Sequence, residues 1–136
     1  MKKLLGLDYG EKRIGLAISD ETGQMAKPYG IILNISQGFA VKKIKEICKK
    51  ERIGKIIIGL PLSLKGEIKR QAEKTKGFAE YLGREVALPI VLEDERFTTK
   101  EAERILKERA IKSKKERLDM LSAVLILKQH LDRENE

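Results

Sequence analysis

The sequence predicts an α/β domain over residues 1–136: a mixed five-stranded sheet with helices on both faces. Three observations lead there. Two short turns close to the N-terminus make the first strands antiparallel neighbours. Apolar spacing then changes to a helical period from Val41 onward. The later apolar runs alternate with helix-length segments, which makes the strands they form parallel.

The elements follow in order. Lys3 to Asp8 is a short apolar run closed by an acid, a strand. Tyr9-Gly10-Glu11-Lys12 turns the chain into a second strand, Arg13 to Ser19. Asp20-Glu21-Thr22-Gly23 is the next turn, with Asp20 as its side-chain acceptor, and residues 25–35 hold a third strand. Val41, Ile44, Ile47 and Cys48 share one face of a helix. Lys55 to Gly59 is apolar on both parities, as a strand covered on both faces must be. Ala72, Thr75, Ala79 and Leu82 mark a second helix, and Ile90-Val91-Leu92 a further buried strand that ends in Glu93-Asp94-Glu95. Thr98 to Glu101 and Ser113 to Glu116 each match a capping box. They open a helix striped by Ala102, Ile105 and Leu106, and another striped by Leu118, Leu121, Val124 and Leu125.

Composition narrows the function. The 41% hydrophobic share suffices for a core, and 16 Ile and 17 Leu make it aliphatic. Six aromatic side chains without Trp argue against a stacking platform for single-stranded bases. A net charge of +8 favours a polyanionic partner, nucleic acid first, although 20 Lys and 16 Glu also suit a heat-adapted surface. A lone Cys48 in an apolar stripe reads as a buried reduced thiol, which implies a cytosolic home. No apolar run approaches the ~18 residues of a membrane span, and Asp8 cuts short the signal-like Met-Lys-Lys start. His130 reads as a surface residue.

Acids are used unevenly, with only five Asp in the chain. Asp8 follows an apolar strand, so rigid backbone holds its carboxylate at the carboxyl end of the sheet, where ligands of such sheets gather; an ordinary turn acid is the other reading. Glu95 and Asp94 close the fifth strand. Alternation lets one of them face Asp8, Glu95 being the first choice and Asp94 the second. Arg96 beside them is suited to orienting a carboxylate or holding a phosphate. Asp119, at the sixth position of a helix capped by Ser113, is too far in to be a cap. Small neighbours at Ser122 and Ala123 would let that helix approach the sheet; an exposed acid favoured by the helix dipole is the competing account. Three acids meeting at one edge require positive charge, and Mg²⁺ or Mn²⁺ suits their hard oxygen ligands. An acidic centre on a basic domain is the layout a nuclease needs. Neither a Walker A motif, a Gly-x-Gly-x-x-Gly loop, a Cys/His cluster nor a nucleophile elbow is present.

At these residues the sequence resembles the YqgF, or RuvX-type, family of Holliday-junction resolvases. The resemblance rests on Gly6-Leu-Asp8-Tyr-Gly10-Glu-Lys-Arg13-Ile-Gly15-Leu-Ala-Ile-Ser-Asp20, Ile58-Gly-Leu-Pro61-Leu, Asp94-Glu95-Arg96-Phe-Thr98-Thr99 and Asp119-Met-Leu-Ser-Ala123, in order and across nearly the whole chain. It implies a ribonuclease H-like fold, metal-dependent phosphodiester hydrolysis and a bacterial cytoplasmic protein. It implies Asp8, Glu95 and Asp119 as catalytic and metal-holding carboxylates, with Lys12, Arg13 and Arg96 as nucleic-acid contacts. Gly59-Leu-Pro61 stands where many nucleases of this fold carry an acid, which points to Glu95 as its substitute, and Ser122 stands in place of an Ala. Two roles go with the family: maturation of the 5′ end of pre-16S ribosomal RNA and cleavage of branched DNA. The leading expectation is a nuclease for structured RNA in ribosome assembly. The alternatives are a resolvase acting as a homodimer on four-way junctions and a non-catalytic RNA-binding assembly factor. A sugar-kinase-like phosphate loop is set aside, because 136 residues cannot supply the second lobe.

Overall fold

Short turns, long crossovers and two apolar faces per strand produce the sheet in the computed structural model, which describes residues 2–61, 66–95 and 114–135. The strands are β1 (Lys3–Tyr9), β2 (Arg13–Ser19), β3 (Ala26–Leu33), β4 (Ile53–Leu60) and β5 (Ile90–Asp94). The helices are α1 (Gln37–Glu51), α2 (Glu67–Val86) and α3 (Lys114–Glu134). The sheet order is β3-β2-β1-β4-β5. β1–β2 and β2–β3 are antiparallel, and β1–β4 and β4–β5 parallel, as the sequence predicts. The helix expected around Ala102, Ile105 and Leu106, and both capping boxes up to Ser113, lie outside the described residues.

Alternation sorts the central strands into two layers. Leu5, Leu7, Ile14, Leu16, Ile56 and Ile58 pack with Phe78 and Leu82 of α2 and Ile44 of α1. On the opposite face Ala17 and Ile57 meet Ala123, Val124, Ile126, Leu127 and Leu131 of α3. At three points beneath α3 the sheet presents glycine. A Cβ on Gly6 would stand 2.9 Å from the Leu127 Cβ, and one on Gly59 would stand 2.2 Å from Ile126 Cδ1. This glycine floor lets a whole helix rest against strand backbone.

Local chemistry fixes the ends. Ser36 caps α1, its hydroxyl accepting from the Phe39 N–H at 3.1 Å. Arg52 ends α1 in the left-handed region (φ 55°) and donates its N–H to the Cys48 carbonyl. Asp20 accepts from Thr22 Oγ1 at 2.9 Å and from the Gln24 N–H at 3.1 Å, the turn role its position predicts. Pairing of β1 with β4 shifts register between Lys3 and Leu4. On the other side of β1, beyond its last pair with β2, the Leu4 N–H donates to the buried Ser19 hydroxyl at 2.7 Å.

Two expectations need correction. β5 is not a buried strand: as the sheet's edge it leaves Leu92 38% exposed, and the residue it hides is Glu93. His130 is not a surface residue: it is 1% exposed, because α3 turns it onto that same Glu93. Cys48 is buried as predicted, and burial pushes its thiol up to about 11. Among the described residues no helix is long and apolar enough to cross a membrane.

Candidate active site

The carboxyl ends of β1 and β5 and the second turn of α3 bring the site together. Asp8 shares its strand face with Gly6, the α3 side, while Tyr9 points the other way and stacks on Phe78 at 4.4 Å between ring centroids. Across the ladder from Asp8 is Gly15. A Cβ there would lie 2.0 Å from the Asp119 carbonyl oxygen, so the absence of a side chain at Gly15 is what admits the α3 backbone. Asp119 is the sixth residue of α3, as its spacing from Ser113 predicts. Small residues were expected on the helix alone; the sheet supplies the other half at Gly6, Gly15 and Gly59.

Glu95 leaves β5 with its N–H donated to the Leu60 carbonyl at 2.9 Å. Its Oε1 lies 2.9 Å from where a Cβ of Gly59 would stand, so the carboxyl fills the space above that glycine. Alternation places Asp94 on the opposite face from Glu95, and its carbonyl accepts from Gln129 Nε2.

Electrostatics couple the three acids. Asp8 keeps part of its surface open, yet its carboxyl is pushed up to about 8, first by desolvation and then by the negative charges of Glu95 and Asp119. Burial also raises Glu95. Asp119 is balanced by Arg13, whose Nε donates to its Oδ2 at 2.6 Å. Arg13 thus faces a carboxylate through Nε. Lys12 is exposed in the β1–β2 turn, and Arg96 lies outside the described residues. Among the described residues no three Asp, Glu, His or Cys side chains are grouped to hold a metal ion. The carboxyl groups of Asp8, Glu95 and Asp119 are oxygen donors of the kind a hard divalent cation takes.

One group escaped the sequence reading. Glu93, 1% exposed, accepts from Gln129 Nε2 at 2.8 Å, from His130 Nδ1 at 3.1 Å, and from Arg133 through both terminal nitrogens at 3.0 and 2.7 Å. The available signal was parity: Glu93 shares a face with Glu95, and three polar residues recur on the last turns of α3.

A mixed sheet in this order, with acids at one end and a helix laid across its glycine floor, defines a ribonuclease H-like nuclease, a hydrolase of phosphodiester bonds. The chain belongs to the RuvX family, whose description is Holliday junction resolvase and whose pattern matches residues 2–133. It is 48% identical over 135 residues to a protein of Sulfurihydrogenibium sp. named "Putative pre-16S rRNA nuclease", covering 98% of this chain and 92% of that one. A Thermoanaerobacter pseudethanolicus protein of the same name is 42% identical over 133 residues, covering 96% of each. The fold is similar to that of T. thermophilus RuvC in complex with Holliday junction substrate: the TM-score is 0.69 at 13% identity, covering 99% of this chain and 96% of that one.

Proposed function

We propose that this chain is a divalent-metal-dependent nuclease that matures the 5′ end of pre-16S rRNA during ribosome assembly in the cytoplasm, working as the single domain 1–136. The observation that carries the reading is the arrival of Asp8, Glu95 and Asp119, from three distant segments, at one end of the sheet. The relatives' shared name supports RNA as the substrate, and a net charge of +8 supports a polyanion.

Asp8, Glu95 and Asp119 would hold Mg²⁺ or Mn²⁺. When bound, the ion supplies positive charge that offsets the acids and polarises a phosphate oxygen. The chain's own residues do the rest. Asp8, its carboxyl pushed up to about 8, holds a proton at neutral pH that it would have to give up to act as a metal ligand. Arg13 orients Asp119 through Nε, leaving its terminal nitrogens for a phosphate, with Lys12 and Arg96 as further contacts.

The family's description favours a second reading, hydrolysis of a four-way DNA junction, which calls for a homodimer with two paired sites. The deciding experiment offers a 5′-extended pre-16S fragment and a synthetic four-way junction to wild type and Asp8→Asn, with and without Mn²⁺. RNA cleavage that needs both Mn²⁺ and Asp8 supports the first reading. Junction cleavage by a species sedimenting as a dimer moves the substrate to DNA. RNA binding with neither cleavage nor cation uptake makes the chain an assembly factor and ends the nuclease reading.

A further inference from the structure

A buried carboxylate held by four nitrogens from three residues is an expensive way to fill an edge strand. Taking the Glu93 carboxylate out of water carries a desolvation cost, and an apolar residue of similar volume in its place often stabilises as well or better. The Glu93 network therefore asks for a purpose beyond stability, and its placement supplies one. It joins β5, which ends at Glu95, to α3, which carries Asp119.

The connection is tightest at one peptide unit. The Asp94 carbonyl accepts from Gln129 Nε2 on α3, and the Glu95 N–H donates to the Leu60 carbonyl of β4 at 2.9 Å. The peptide that sets the Glu95 Cα is thus held from the helix on one side and from the sheet on the other. The same Gln129 amide also donates to Glu93 Oε2 at 2.8 Å. Arg133 makes a forked pair with that carboxylate, which fixes its plane as well as its position. Because the carboxylate accepts, the His130 nitrogen that faces it, Nδ1, is the protonated one. Asp119 and Gln129 ride the same helix, so a clamp at Gln129 sets Glu95 relative to Asp119.

We propose that Glu93 is a positioning residue: through Gln129, His130 and Arg133 it locks the end of β5 to α3 and so fixes the position of Glu95 relative to Asp119. The inference rests on the metal-site reading above and names the part that holds its geometry.

The test uses the full chain and two readouts that do not need substrate: Mn²⁺ binding by calorimetry and amide hydrogen exchange at Glu95 by NMR. Glu93→Gln keeps the volume and removes the charge. Arg133→Gln cuts the partly exposed arm of the clamp and so guards against a variant that fails to fold. Cys48→Ala loosens the opposite core layer without touching the clamp. Glu93→Gln is expected to speed exchange at Glu95 about tenfold and to weaken Mn²⁺ binding about tenfold, Arg133→Gln to do the same to a smaller degree, and Cys48→Ala to leave both within about twofold. Glu95 exchange or Mn²⁺ affinity in both clamp variants within twofold of wild type would overturn the proposal, as would equal changes in Cys48→Ala. If wild type takes up no Mn²⁺, the metal-site reading falls, and the Glu95 exchange rates alone decide whether Glu93 positions that residue.

Discussion

Replacing Gly15 by Ala adds one carbon at the point where α3 meets the sheet. That carbon would lie 2.0 Å from the Asp119 carbonyl oxygen and 2.4 Å from its carbonyl carbon. Ordinary contact begins at 3.4 Å, so helix and strand must part by about 1.4 Å, the difference between the two distances. Both atoms met are backbone, so no rotamer relieves the overlap. Overpacking of this kind costs about 1–3 kcal/mol, which at ~4 °C per kcal/mol lowers the melting temperature by roughly 4–12 °C. The greater effect falls on the site, because the displaced atoms belong to Asp119 itself. A shift of ~1 Å in a catalytic group reduces turnover by about 100-fold. Gly77→Ala in α2 is the counterpart, since nothing lies within 4 Å of the added carbon. It should raise stability by about 0.5–1 kcal/mol through helix propensity and leave cleavage unchanged. The assay pairs thermal unfolding with single-turnover cleavage of the 5′-extended RNA in saturating Mn²⁺. A Gly15→Ala protein that cleaves within twofold of wild type would show that α3 does not set the position of Asp119 through this contact.

Three further outcomes follow. Asp8 binds its proton up to about pH 8 in the folded chain against 3.8 in the unfolded one, so over that window the folded state holds the extra proton and stability falls as pH rises, by at most ~1.4 kcal/mol per unit. Asp8→Asn should remove this slope and abolish cleavage, which urea midpoints across the window will check; an unchanged slope would assign the proton elsewhere. Arg13→Ala should tighten Mn²⁺ binding, by baring the Asp119 carboxylate, while raising the KM for RNA severalfold; calorimetry and steady-state kinetics read the two opposite signs. Native Cys48 should resist a thiol-alkylating reagent at neutral pH and react at once in denaturant, because burial holds its thiol near 11.

The sequence disclosed the architecture where local signals and tertiary packing agree. The β1–β2 and β2–β3 turns, residues 10–12 and 20–25, are mostly polar residues and glycine between apolar runs, and every apolar residue expected on the sheet-facing side of α2 is buried. Asp8 stood out because an acid closes an apolar strand there, although an ordinary turn acid fitted the position equally well. Parity alone said that one of Asp94 and Glu95 faces Asp8, not which one. What was missed depends on partners distant in sequence. His130 lies in a charged C-terminal stretch, and nothing local shows that Glu93 lies across from it. Leu92 was expected inside because an apolar triplet carries no mark of whether its strand ends up central or at an edge. The glycine floor was open to discovery: Gly6 and Gly59 fall on the parity opposite to Leu5, Leu7, Ile56 and Ile58, a regularity that speaks of a close neighbour rather than of turns.

The hydrogen bond between the Leu4 N–H and the Ser19 hydroxyl has a reach well beyond its own neighbourhood. A strand that slides by one residue exchanges its two facings. In β1 that exchange would send the acid at position 8 toward the Phe78 layer and bring the Tyr9 ring out among the carboxylates. Ser19 latches the strand at Leu4, four residues and about 13 Å upstream of Asp8. A hydroxyl at the foot of the sheet thereby adds its hold to the ladders that orient an acid at its head.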